Sequence, residues 1–133
     1  MRVVLDTNVV IAAVISEGLC RDLVRVRVLP HTIITSEWLL RELRTTLRDK
    51  FAVDPAELPL LAQVHKEAEI VMPTQFRERV SRHEDDDVVL ATALAGKADV
   101  IVTGDEDLLV LKKFRAIRIL STRQFLERLD RTS

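Results

Sequence analysis

Short runs that are apolar at every position alternate along this chain with longer stretches in which apolar residues return every three or four places. Uninterrupted apolar runs suit strands buried on both faces of a parallel sheet, and the longer period suits crossover helices packed on it. The first strand is predicted over residues 2–5, Arg2-Val3-Val4-Leu5. A helix is predicted from Asn8 to about Val28, interrupted at Glu17-Gly18. A short strand over Thr32–Thr35 leads into a helix from Ser36 to Phe51. Its Leu39, Leu43, Leu47 and Phe51 repeat at the i, i+4 spacing of one buried face.

Asp54-Pro55 has the form of a helix cap with proline at the first helical position, opening a helix to about Ala68 in which Pro59 is out of place. Glu69–Met72 reads as a weak strand and Pro73–Phe76 as a loop. Ser81 and Glu84 stand at capping-box spacing ahead of a helix that runs to about Lys97. A strand over Val100–Val102 precedes a short helix from Glu106. Ala116–Leu120 is the last strand, and Ser121 with Gln124 opens a terminal helix through Leu129. Strands alternating with helices in this way predict an α/β class built on a parallel sheet. No repeat or linker divides the 133 residues, so one domain over 1–133 is expected.

The pattern gathers carboxylates. Asp6 ends the first strand and Asp105 follows the strand at Val100–Val102, so both fall at the carboxyl edge of the sheet, where open α/β sheets bind their ligands. Glu42 lies within the helix that starts at Ser36, and Glu84-Asp85-Asp86-Asp87 precedes an almost wholly apolar helix whose first turn would abut the same edge. Acids brought together repel one another, and a hard divalent cation with oxygen ligands relieves that repulsion. Each acid also has a simpler account. Asp6 can cap the following helix, Glu42 can pair with Arg41 or Arg44, and the acidic run can complement a helix dipole. Thr103 and Glu106 stand at capping-box spacing, and Asp105 and Asp107 compete for one place. His31, His65 and His83 form no zinc-ligand pair, and no glycine-rich phosphate loop is present.

Composition adds exclusions. Hydrophobic residues make up 47% and charged residues 31%, as in globular proteins, and no apolar stretch is long enough for a membrane span. The amino terminus does not resemble a signal peptide, so a cytoplasmic location is expected. Cys20 is the only cysteine, which excludes an intramolecular disulfide and a cysteine-based metal site. The net charge of −1 conceals a segregation of sign. Arginines cluster at Arg21, Arg25 and Arg27, at Arg41, Arg44 and Arg48, and at Arg77, Arg79 and Arg82, so basic surface would flank an acidic centre. Aromatics are only 4% and tyrosine is absent, which argues against a base-stacking platform and favours contacts to backbone phosphates.

With these segments in order, the chain resembles the PIN-domain nucleases, particularly the toxin components of toxin–antitoxin pairs. The opening Val-Val-Leu-Asp-Thr-Asn-Val and the block from Asp87 through Val-Val-Leu-Ala-Thr-Ala-Leu-Ala to Val-Thr-Gly-Asp105 carry the resemblance, which runs nearly end to end. It implies a three-layer α/β/α fold around a central parallel sheet and a Mg²⁺ or Mn²⁺ site that hydrolyses RNA as an endoribonuclease. Its four acids match Asp6, Glu42, Asp87 and Asp105, with Asn8 and Thr103 at the polar positions beside them. Asp86 competes with Asp87, and Glu37 with Glu42. The partners implied are an RNA substrate, a cognate antitoxin protein and a second copy of the chain in a homodimer, with no membrane. The alternative is a non-catalytic module that binds RNA or protein and uses its acids only structurally.

Overall fold

Val3, Val4 and Leu5 form the centre of the molecule because the strand that carries them (β1, Arg2–Leu5) is apolar on both sides. In the computed structural model, which describes residues 1–76 and 84–132, β1 pairs in parallel with β2 (Thr32–Thr35) and with β4 (Val100–Val102). Two further parallel pairings attach β3 (Glu69–Ile70) to β2 and β6 (Ile117–Leu120) to β4. The strand order is β3-β2-β1-β4-β6-β5. Among the described residues only β5 (Lys113–Phe114) runs antiparallel, on the outer edge of β6. Its two residues are too few to show a hydrophobic period, and the sequence pattern does not reveal it.

Alternation along the strands divides the core into two layers. Val3 and Leu5 join Val100 and Val102 on one face, under α1 (Thr7–Ile15), the carboxyl half of α3 (Glu37–Phe51) and α7 (Thr122–Thr132). Val4, Ile34, Ile101 and Ile119 point to the other face, under α5 (Glu84–Ala95) and Leu108 of α6 (Glu106–Leu109). This is the three-layer α/β/α arrangement. α3 serves both layers, since Leu39 packs on the second face and Leu43 and Leu47 on the first. Phe51, expected as the fourth residue of that spine, is exposed, because the helix ends at Ala52 in a left-handed conformation. Among the described residues no helix is long and apolar enough to cross a membrane.

Three predicted helices differ in detail. The stretch predicted from Asn8 to Val28 is α1, a short α2 (Leu19–Asp22) and a π-helical turn over Leu23–Arg27, broken at Gly18 as expected. The helix from Asp54 splits into a single 3₁₀ turn over Pro55–Glu57 and α4 (Pro59–Glu67). Pro59 is therefore not inside a helix but at its first turn, where its missing N–H costs nothing. α5 ends at Ala95, two residues before the predicted end. The predicted cap at Ser81 and the arginines Arg77, Arg79 and Arg82 lie outside the described residues.

A tight contact fixes α5 against the sheet. Gly96, just past the end of α5, lies so close to Ile34 of β2 that a Cβ there would meet Ile34 Cγ2 at 2.5 Å. The left-handed residue in this turn is Lys97, so Gly96 is required for close approach rather than for its backbone angles. Its carbonyl also accepts a 2.8 Å hydrogen bond from Arg2 Nε. Ile34 is fully buried. Gly96→Ala should therefore destabilise the fold by about 1–3 kcal/mol, the usual cost of overpacking. A melting temperature equal to that of the wild type would show that α5 can shift away from β2.

Candidate active site

The strand order reverses at β1, whose neighbours β2 and β4 continue in opposite directions, and a crevice forms beyond the carboxyl ends of β1 and β4. The sheet ladder extends one residue into that crevice on each strand. Asp6 N donates to Val102 O at 2.9 Å and Thr103 N donates to Leu120 O at 3.0 Å, so both residues start from fixed backbone. Asp6 caps α1, accepting at 2.8 Å from Thr7 N. Its other oxygen accepts from Thr103 Oγ1 at 2.8 Å and from Asn8 Nδ2 at 3.4 Å. The capping role expected as the simpler account of Asp6 is thus present, but each carboxylate oxygen carries two lone pairs and capacity remains for a ligand.

Small polar residues tie the rim together. Thr103 Oγ1, while donating to Asp6, accepts from Asp105 N at 3.0 Å. Asp105 Oδ1 then accepts from Asp107 N at 2.9 Å and caps α6. Asn8 Oδ1 accepts from Gly104 N at 3.1 Å, which joins the β1–α1 turn to the β4–α6 turn. Thr7 Oγ1 donates to Glu42 Oε1 at 2.8 Å, which draws the α3 acid to the same place. α3 and α5 are pinned to each other below the crevice by Thr92 Oγ1, 3.0 Å from the fully buried Ser36 Oγ.

The result is a cleft of about 250 Å³ whose lining includes Asp6, Asn8, Glu42, Asp85, Asp86 and Asp105. Three of the four acids matched from sequence, Asp6, Glu42 and Asp105, are brought together. The fourth match, Asp87, is not among the residues lining this cleft. It lines a separate groove, whereas Asp86 is buried and faces the cleft. A helix turns about 100° per residue, which puts Asp86 at the centre of the buried face of Val89, Leu90 and Ala93 and Asp87 to one side of it. Asp86 lies three and four residues before Val89 and Leu90, and that phase was available in the sequence. Asp107, the competitor of Asp105, does not replace it. Asp86, Asp105 and Asp107 can each bring a carboxylate oxygen within 4.8 Å of the others. Asp85 carries no distinguishing signal in the sequence, being one acid within an acidic run. Glu37 is exposed and does not line the cleft.

Among the described residues, no lysine or arginine lines the cleft. Burial raises the Asp6 pKa above its ordinary value, opposed by the Thr103 and Thr7 hydrogen bonds and reinforced by the charge of Asp105. Glu42 is raised too, first by burial and then by Asp85 and Asp6, against the hydrogen bond from Thr7 and the charge of Lys50. An all-oxygen, acid-rich donor set fits a hard divalent cation. The arginines are differently employed. Arg21 donates to Ala13 O and Val14 O at the end of α1, and Arg27 pairs with Asp130 of α7. Arg41, Arg44 and Arg48 are exposed along α3.

These shifts carry a sign. A carboxyl whose pKa is higher in the folded than in the unfolded chain favours folding when protonated, so its contribution is lost as pH rises from the unfolded value through the folded one. Metal-free wild type should therefore lose stability relative to Asp6→Asn as pH is raised from about 4 to 7. Mn²⁺ added at the upper pH should restore the wild type by several degrees, and the variant by less. Melting curves in chelator and in Mn²⁺ check this, and a gap between the two proteins that is constant with pH would contradict it.

The PIN domain family model matches residues 2–107, which spans β1 through the first residues of α6 and includes every residue of the cleft. No curated protein matches the chain significantly. The extent of the family match, together with the parallel sheet and the acids at its carboxyl edge, shows that the chain belongs to the PIN-domain family, a family of generally metal-dependent nucleases.

Proposed function

We propose that the cleft hydrolyses RNA phosphodiester bonds with Mg²⁺ or Mn²⁺, as an endoribonuclease. The observation that carries this reading is the convergence of Asp6, Glu42, Asp86 and Asp105 on one cleft. A phosphate cannot approach such a surface unless its charge is offset, and a divalent cation bound there would supply that charge, a Lewis acid and an activated water. Asp6, Asp86 and Asp105 are the ligands we assign, with Asp107 as a further oxygen donor beside Asp105. Glu42 is less buried than Asp6 and is held by Thr7, so it suits the role of orienting the attacking water or accepting its proton. Thr103 and Asn8 position Asp6 and the two turns rather than meet the substrate. Arg41, Arg44 and Arg48 present charge along one exposed side of α3, where phosphates of the same strand can be held.

The resemblance in the opening Asp6-Thr7-Asn8 segment and in the α5–β4 block supports a role as the toxin of a toxin–antitoxin pair, with a cognate antitoxin protein as inhibitor. Expression of the chain alone should then arrest growth, and co-expression of its cognate antitoxin should relieve the arrest and yield a stable complex. A homodimer is the assembly we assign to the free toxin, and light scattering would test it.

Purified protein should cut single-stranded RNA with Mg²⁺ or Mn²⁺ and not in chelator. Since losing only an outer partner of a metal ligand commonly costs 10- to 100-fold, Asp6→Asn and Asp86→Asn should each lower cleavage by about 100-fold or more. Asp87→Asn should lose far less than Asp86→Asn. The reverse ranking of these two would return the third ligand to Asp87, and full activity in both Asp6→Asn and Asp86→Asn would remove the mechanism.

A further inference from the structure

Beside the acidic cleft lies a larger groove, about 550 Å³, with mostly apolar walls. Trp38 of α3, Val88 of α5, and Met72 and Phe76 of the segment leaving β3 form much of it, with the carboxylates of Glu84 and Asp87 at its α5 side. Cleft and groove share their supports. Trp38 and Glu42 are i and i+4 on α3, one turn apart on the same side, and Trp38 lines the groove while Glu42 lines the cleft. On the first turn of α5, Glu84 and Asp87 face the groove while Asp85 and Asp86 face the cleft. A strand whose phosphate lies among the cleft acids is therefore one helical turn from the groove.

We propose that this groove receives a nucleobase adjoining the scissile phosphate and selects guanine. The inference rests on the nuclease reading of the cleft and names what that site would recognise. A base offers flat apolar faces and a polar edge, and the groove offers the matching pair of an aromatic wall and a carboxylate. A carboxylate only accepts hydrogen bonds, so Glu84 rewards an edge rich in donors. Guanine presents N1–H and N2–H side by side, one for each oxygen of a carboxylate. Uracil presents a single N–H between two carbonyls, and adenine and cytosine each place an acceptor beside their amino group. The exposed charge of Glu84 also repels phosphates, which favours the base over the backbone as the part that enters. A low aromatic content argues against a long stacking platform, but one ring is enough for one base. A basic peptide is the competing occupant. It would pair with Glu84, but it would not account for a groove that lies one helical turn from a phosphate-cutting cleft.

Trp38 is the only tryptophan and tyrosine is absent, so tryptophan emission reports from this groove alone. Nucleosides carry no phosphate and cannot be cut, so titrating the metal-free protein with guanosine, adenosine, cytidine and uridine tests the groove separately from the reaction. Guanosine should change the emission and bind about tenfold more tightly than uridine, the discrimination expected of a bidentate contact. Glu84→Gln replaces one of the two acceptors on an exposed residue and should bring the two nucleosides to within about twofold. In Mg²⁺, uridine-rich RNA with a single guanine should be cut beside that guanine by wild type, and Glu84→Gln should lose this preference. Equal responses to all four nucleosides overturn the proposal, as does a response only to a basic peptide. RNA cleavage that ignores guanine would overturn the base pocket and leave the nuclease reading standing. Guanosine-selective emission changes in a protein that cuts no RNA would retain the groove and remove the reading of the cleft.

Discussion

Mutual repulsion among carboxylates is the constraint around which this molecule is arranged. Five acids, Asp6, Glu42, Asp85, Asp86 and Asp105, line one cleft. Asp6 is only 5% exposed, and burial holds its pKa up. Hydrogen bonds from Thr7, Thr103 and Asn8 orient its oxygens but do not cancel its charge. A fold selected for stability alone would not collect these groups, so the arrangement is best understood as a site that becomes complete with a cation and an anionic substrate.

The rest of the structure supplies rigidity to that cleft. Asp6 and Asp105 follow paired strands at the point where the strand order reverses, so their separation is set by the β1–β4 ladder. Glu42 and Asp86 come from α3 and α5, which are joined through buried Ser36 and Thr92 and seated on the sheet by Leu39, Val89 and Leu90. Gly96 lets the end of α5 approach β2. Positions near the acids are thus fixed by packing and by small polar residues, which is how a site can hold like charges in one geometry.

Much of this was legible in the sequence. Unbroken apolar runs located β1, β2 and β4, and the order of strands and helices gave the parallel sheet. From that edge alone, Asp6 and Asp105 could be placed together. Glu42 was another matter. Its spacing resembles that of any exposed helical acid, and only the family resemblance separated it from Glu37. Asp86 was legible in principle from the helical phase of Val89 and Leu90, whereas the alignment of the acidic run with the family motif pointed to Asp87. β5 is too short to have a period, and the π-helical turn at Leu23–Arg27 leaves no composition signal. The groove around Trp38 depends on residues from three separate segments, and no local pattern announces a surface built by tertiary packing.

The central claim is that the acids at the β1–β4 edge form a divalent-metal site. The most direct measurement is a crystal structure of the wild-type protein with Mn²⁺, using the anomalous signal of the ion. The account predicts an anomalous peak in the cleft with carboxylate oxygens of Asp6, Asp86 and Asp105 as ligands, and with Asp87 outside the coordination sphere. An ordered cleft without an ion at saturating Mn²⁺, or an ion held by Asp87 in the neighbouring groove, would contradict it.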